Sequence, residues 1–288
     1  MITCNLMGGL GNQLFQIFTT ISYALKYKKE FAFLYTEYLG IGNTIQRKTY
    51  WNTFFKSLKK RVYKVLPSCE YIKEEGFCYK ELLEPIDGKE NICLYGYFQS
   101  YKYFHENADV IINLINISEQ KKNTIEKTDY SMDDLEKTIS LHFRIGDYKL
   151  IPNMFPVLPY EYYEKSILLL SEQMKNNSSV CFIKVLYFFE DKDLEDVNFI
   201  INKLKVKFSN LEFIKVDFLL DDWEELLLMS CCKYNIIANS SFSWWAAYLN
   251  ENKDKIICYP EKWFGINKSS NDTKDLFLRE WNNIYYYK

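Results

Sequence analysis

Ile139-Ser140-Leu141-His142-Phe143-Arg144-Ile145-Gly146-Asp147-Tyr148 begins as an apolar run and ends as a polar turn. In α/β proteins, strand ends that open into such turns carry the chemistry. His142 is one of only two histidines in 288 residues. Arg144 offers a planar, permanently charged fork of donors suited to a phosphate. His142, two residues earlier, falls on the same side of an extended chain. The same residues also fit a plain Arg–Asp pair that only ties down a loop.

Downstream, Pro152, Pro156 and Pro159 mark an irregular loop. Residues 160–175 show amphipathic helical spacing. Residues 180–189 form a strongly apolar strand ending in Glu190-Asp191-Lys192-Asp193. Further helices are expected over 194–207, 221–231 and 242–249, and strands over 211–216, 234–238 and 256–259. Upstream, residues 2–7 read as a strand and Gly8-Gly9-Leu10-Gly11-Asn12-Gln13 as a turn. Leu14, Ile17, Phe18, Ile21 and Leu25 then recur at helical spacing. Strands follow at 31–35 and 92–98, and a helix near 105–116. Residues 40–66, with Arg47, Tyr50 and Trp51, read as a long connection facing a ligand. The polar stretch 117–138 is the expected domain boundary. Strand and helix alternate in both halves. This argues for the α/β class, with two parallel-sheet domains, 1–135 and 136–288, and a cleft between them.

Composition narrows the function. Hydrophobic residues make up 48% and charged residues 26%, the balance of a globular protein. Net charge is −2, which provides no global basic field for nucleic acid or anionic lipid. Any phosphate site must be built locally. The cysteines at 4, 69, 78, 93, 181, 231, 232 and 258 form no CxxC pair. With only His105 and His142 beside them, buried free thiols in a reducing compartment fit better than a zinc site. The start of the chain lacks the basic and apolar pattern of a signal peptide. No apolar run approaches the about 20 residues of a membrane span. A cytoplasmic protein without an integral membrane segment is expected.

Three further motifs bear on chemistry. Gly8 through Gln13, followed by a helix, lets backbone approach a ligand, although an ordinary tight βα turn would look the same. It is not a dinucleotide fingerprint, because Leu14 stands where glycine would be required, and it lacks the Lys-Ser/Thr of a P-loop. Asn239-Ser240-Ser241-Phe242-Ser243-Trp244-Trp245-Ala246-Ala247-Tyr248 has a serine to cap its helix, whose N–H groups would point at an anion. An ordinary capped helix fits equally. Asp191-Lys192-Asp193 is a DxD that could hold a divalent metal, while Asp193 is also a natural N-cap for the helix at 194.

Four stretches in order resemble the α-1,2-fucosyltransferases, glycosyltransferase family 11. They are Gly8–Gln16, Gly96–Phe104, His142–Tyr148 and Asn239–Tyr248, and the resemblance runs from residue 2 to Trp281. It implies a GT-B-like fold of two Rossmann-like parallel-sheet domains facing a cleft, the N-terminal one on the acceptor side. It also implies a GDP-fucose donor, a galactose-containing glycan acceptor, inversion at the sugar, and no required metal or other cofactor. Arg144 matches the family arginine that holds the donor diphosphate, with His142 and Asp147 flanking it. Ile145 stands where a second arginine is common, and Tyr234 where a histidine is frequent.

The expected site follows. Arg144, with Asn239, Ser240, Ser241, Phe242 and Ser243, binds the diphosphate, where charge collects as GDP departs. Gly9, Gly11, Asn12 and Gln13 lie near fucose or acceptor. Asp147 is the first candidate for an optional base and His142 the second. Competing readings are a non-catalytic sugar- or nucleotide-binding relative with Ile145 as the scar, a metal-dependent transferase using Asp191 and Asp193, and a fucosyltransferase with another acceptor, a peptide included, or another linkage. The sequence names neither the natural acceptor nor the oligomeric state.

Overall fold

The computed structural model describes residues 1–40, 46–85, 91–175 and 184–287. The chain folds as two compact units, Met1–Gln120 with Asn271–Leu278, and Lys121–Ser270 with Arg279–Lys288. The expected change of domain at residues 135 and 136 lies within the second unit. The polar stretch before it is largely helical, at Ile117–Ile125 and Met132–Leu135.

The second unit is built on a six-stranded sheet. Its strands lie in the order Glu212–Lys215, Lys184–Phe188, Thr138–His142, Tyr234–Ile236, Ile256–Pro260, Asn282–Ile284. Every neighbouring pair is parallel. Numbered within the unit, that order is 3-2-1-4-5-6, the doubly wound arrangement. Alternation along the strands explains why both faces are covered. Ile139, Leu141, Val185, Tyr187, Tyr234 and Ile236 share one core with residues of the helices Tyr160–Lys175 and Leu194–Lys207. The intervening Ser140, His142 and Asn235 face the helices Asp222–Cys231 and Ser241–Tyr248. Buried Ser140 and Asn235 are tolerated there because they satisfy one another. The Asn235 amide donates to Ser140 Oγ at 2.7 Å and to the Met229 carbonyl at 2.8 Å, and its oxygen accepts from Asn250 at 2.7 Å.

The expected strands and helices of this half are present within a few residues. Residues 180–183, and with them Cys181, lie outside the described residues. The terminal strand Asn282–Ile284 escapes the sequence pattern because an edge strand buried on one side carries polar residues.

The first unit holds a smaller parallel sheet, in the order Ile2–Cys4, Ile92–Tyr95, Glu70–Lys73, extended by a parallel bridge from Ile2 to Phe31. Glu70–Lys73 was not expected, since its alternation is broken by charges suited to an exposed edge. The helix Leu10–Lys26 buries Leu14, Phe15, Ile17, Phe18 and Ile21 completely. It begins at Leu10, so Gly11, Asn12 and Gln13 occupy its first turn rather than the loop. Leu10 is buried and draws the helix start forward, with Gly9 at the cap position.

The expectation that 40–66 faces a ligand is corrected for its aromatic residues. Tyr50, Trp51, Phe54 and Phe55 are buried, with Trp51 packed 5.3 Å from Phe33. Large rings go to the core because they remove the most apolar area from water. Residues 41–45 of that stretch lie outside the described residues. The segment 271–278 is held by Asp275, whose carboxylate takes Tyr79 N–H at 3.1 Å and the Lys102 ammonium. Its carbonyl accepts from Ser100 Oγ at 2.6 Å. Among the described residues no helix is long and apolar enough to cross a membrane. The described cysteines are free, and burial pushes the Cys4 and Cys258 thiols up to about 12, so they serve as packing.

Candidate active site

In a doubly wound sheet the ligand crevice lies beyond the carboxyl ends of the strands, where the strand order reverses. Here the reversal falls between Thr138–His142 and Tyr234–Ile236, paired in parallel from Tyr234 against Ile139 to Ile236 against Leu141. The chain leaving the first strand carries His142 to Asp147. The chain leaving the second carries Asn239 to Ser243. Residues about a hundred positions apart thus meet at one edge. Tyr148 Oη donates to the Asn239 carbonyl at 3.0 Å, and the rings of His142 and Phe242 lie 5.6 Å apart.

Arg144 is mostly buried, at 19% side-chain exposure. One guanidinium nitrogen donates to Asp147 at 2.6 Å and another to Glu190, while the group sits 5.3 Å from the centre of the Tyr148 ring. Lys192 in turn pairs with Glu190 at 2.5 Å. Two cations and two carboxylates therefore balance, and the fork of Arg144 is held in one orientation. Glu190 was not expected as a partner. It follows the neighbouring strand Lys184–Phe188, a proximity that only the sheet order creates.

Asp191 and Asp193 diverge. Asp191 is exposed and pairs with Lys215 at 3.2 Å. Asp193 is buried and accepts the Gly146 N–H at 2.9 Å. Asp193 does stand at the N-cap position of Leu194–Lys207, but its side chain makes no cap hydrogen bond. It braces the Arg144 turn instead, giving the part-buried Gly146 N–H its acceptor. Among the described residues no group of three metal-ligating side chains gathers.

His142 is buried, and desolvation together with the charge of Arg144 pushes its imidazole down to about 3. Its Nδ1 has no hydrogen-bond partner among the described residues. A ring that neutral is a weak base. Asn239 donates to the carbonyls of Pro156 at 2.9 Å and Trp263 at 3.2 Å, and its buried Oδ1 has no partner among the described residues. Ser240 caps Ser241–Tyr248, its Oγ accepting Phe242 N–H at 3.3 Å. Ser241 and Phe242 are half-buried. Ser243 is buried and turns back toward the carbonyls of Ala238 and Ser240.

The family described as glycosyl transferase family 11 matches residues 1–285. The chain belongs to glycosyltransferase family 11. The O-antigen biosynthesis glycosyltransferase WbnK of Escherichia coli is 32% identical over 233 residues, covering 79% of this chain and 70% of that protein. An alpha-1,2-colitosyltransferase of Escherichia coli is 26% identical over 289 residues, 92% of each chain. As a family 11 glycosyltransferase the protein takes a nucleotide-sugar donor and a glycan acceptor.

In the first unit of this glycosyltransferase, the turn after Ile2–Cys4 is braced by amides. Gly8 adopts φ +76, and a Cβ there would meet Asn12 Nδ2 at 2.4 Å, so both the backbone and the space require glycine. Asn12 Oδ1 accepts from Gln99 Nε2 at 2.8 Å, joining two of the sequence motifs. Gln13 is fully buried and donates to the Gly8 carbonyl at 3.0 Å and the Lys48 carbonyl at 2.9 Å. Gln16 closes the same loop on Met7 N–H at 2.9 Å. Gly11 is buried in the helix, while the space beside Gly9 is open. Gly9 and Asn12 are thus placed at the loop surface side of the turn, and Gly11 and Gln13 within its frame.

Proposed function

We propose that the protein moves L-fucose from GDP-β-L-fucose to the 2-hydroxyl of a galactoside, with inversion, in the synthesis of a surface glycan such as an O-antigen. The observation that carries the donor side is the meeting of Arg144 and the Asn239–Ser243 cap at the reversal point of the sheet. An anion seated there faces a fixed guanidinium and a helix N-terminus. As the glycosidic bond breaks, the sugar becomes oxocarbenium-like and GDP gains charge. Donors already aimed at that charge lower the barrier without reorganising.

Asp147 and Glu190 orient Arg144, and a diphosphate takes over the donors that Glu190 now occupies. The acceptor oxygen attacks the anomeric carbon, its proton leaves, and GDP departs with the electrons of the broken C–O bond. Asp147 is the first candidate for receiving that proton, and it also holds Arg144. His142 shapes the pocket. The GT-B-like arrangement, with Gly9 and Asn12 on the acceptor side, and independence of metals or other cofactors belong to the same proposal.

The likeness to an alpha-1,2-colitosyltransferase supports a second reading, in which the sugar moved is colitose. Incubation with GDP-β-L-fucose and lactose in the presence of a chelator tests the first. An α-1,2-fucosylated product is expected. Loss of product on chelation would reject metal independence, and transfer from GDP-colitose alone would replace fucose by colitose.

A further inference from the structure

The net charge of −2 hides a segregated segment in the first unit. Residues 38–69 hold seven lysines and arginines and no acidic residue. Five of the seven fall between Lys56 and Lys64, around the short 3-10 helix Lys56–Arg61 and the strand Val62–Tyr63. Leu58 is buried and anchors that helix, while Lys56, Lys59 and Lys60 are exposed. Arg61 pairs with Glu30, and Lys59 donates to Asn52 at 3.3 Å. Among the described residues Lys56, Lys60 and Lys64 make no ion pair. Exposed like charges this close repel one another and gain from an anionic surface.

The strands beside this segment expose apolar side chains. Phe33–Leu34 pairs in parallel with Val62–Tyr63 and continues the sheet through the bridge between Ile2 and Phe31. Side chains alternate along a strand, and registered partners share a face. Phe33, Ile2, Cys4 and Leu94 therefore lie on one face, where Cys4 meets Thr20 of the helix Leu10–Lys26. Leu34, Tyr63, Tyr71 and Tyr95 lie on the other. The centre of that second face, at Thr3, Ala32 and Cys93, is buried. Residues 64–69 join the two edges of the sheet and reach this centre, where Cys69 nears Cys93. The flanks stay open. Val65 is 82% exposed, Tyr71 62% and Tyr63 49%. A sheet of parallel strands is normally covered on both faces. Here an exposed apolar face adjoins five cations.

We propose that this face, with the Lys56–Lys64 segment, docks the protein on an anionic membrane surface. Lysine and arginine gain from the potential of anionic headgroups within a Debye length. Tyrosine settles at the boundary, its ring in apolar surroundings and its hydroxyl in water. Exposed Val65 and Leu34 decide for lipid over nucleic acid. Aliphatic side chains gain from leaving water at the headgroup boundary, whereas a phosphate backbone offers them nothing. A second copy of the same face would set like charges against one another. The segment lies at the amino end of the sheet, where Arg61 meets Glu30 and the Glu30 carbonyl accepts Ile2 N–H at 2.7 Å. It is therefore separate from the Gly8–Gln13 turn, which follows the opposite end of Ile2–Cys4.

Co-sedimentation of the full chain with phosphatidylcholine vesicles, with and without phosphatidylglycerol, tests this. The wild type is expected to partition onto the anionic vesicles about tenfold or more above the neutral ones, and less as salt is added. Lys56→Gln, Lys60→Gln and Lys64→Gln together should lower that partitioning by about a hundredfold. Val65→Ser should lower it about fivefold and leave the salt dependence unchanged. Circular dichroism matching the wild type shows that both variants are folded. Equal partitioning onto the two kinds of vesicle, or wild-type binding by the triple variant, would overturn the proposal. Wild-type binding by Val65→Ser would overturn the seating of the apolar face. Binding of RNA without binding of vesicles would move the surface to nucleic acid and overturn the proposal. A dimer that Val65→Ser dissolves, with no vesicle binding, would overturn it in favour of a second copy.

Discussion

Two strand-to-helix turns invite comparison. The turn after Ile2–Cys4 has no charged side chain, and the first one in the sequence is Lys26. It is built from glycine, backbone and the amides of Asn12, Gln13, Gln16 and Gln99. The turn after Thr138–His142 is dense with charge, with Arg144 set between Asp147 and Glu190, and Asp193 underneath. Neutral amides offer donors and acceptors in equal measure, which suits a polyhydroxyl ligand. A held guanidinium suits an anion and stabilises charge as it develops. The same local geometry therefore carries two kinds of side chain, and charge makes the difference.

Arg144→Ala should break the charged turn most severely. Turnover is expected to fall by roughly a hundredfold or more, because one preorganised donor is worth about 3–4 kcal/mol in the transition state. The assay is product formation by a variant whose circular dichroism matches the wild type. Near-normal turnover would mean that the arginine only ties down its loop. In the neutral turn, Gly8→Ala is expected to destabilise the protein by about 2 kcal/mol, since it adds a strained left-handed residue and displaces Asn12. Urea denaturation measures this, and an unchanged midpoint would show that the turn can relax.

Asn12→Ala sharpens the contrast by ligand. Acceptor KM should rise about tenfold while GDP binding is unchanged, the loss of about 1.4 kcal/mol of hydrogen bonding. A fall in GDP affinity of the same size would move Asn12 to the donor side. The smallest effect concerns His142. Because its imidazole is held down to about 3, it stays neutral through pH 5.5–8 and adds no inflection to kcat/KM there. Its linkage acts on stability instead. The unfolded chain takes up a proton as pH falls through about 6.5 and the folded chain does not, so stability falls from pH 7 toward pH 4. An inflection near pH 6.5 that His142→Phe removes would contradict this.

Much of the second unit was legible because parallel strands buried on both faces are apolar and the helices between them are amphipathic. The Arg144 turn was legible for the same reason, as a polar break at the end of such a strand. The start of Leu10–Lys26 was misplaced because Gly11 reads as a loop residue, while burial of Leu10 decides otherwise. The aromatic residues near 50–55 could be read as ligand faces or core, and packing chose core.

By itself the sequence determined the α/β class, the positions of most strands and helices, and the two polar stretches, around Arg144 and Ser240, that meet in the second unit. These follow from periodicity and residue chemistry, which act over a few residues. Only the tertiary structure decided that the strands lie 3-2-1-4-5-6 and that Glu190 and Asp193 turn toward the Arg144 loop. Strand order is set by how distant apolar faces pack together. A side chain's partners across neighbouring strands are therefore absent from any local pattern.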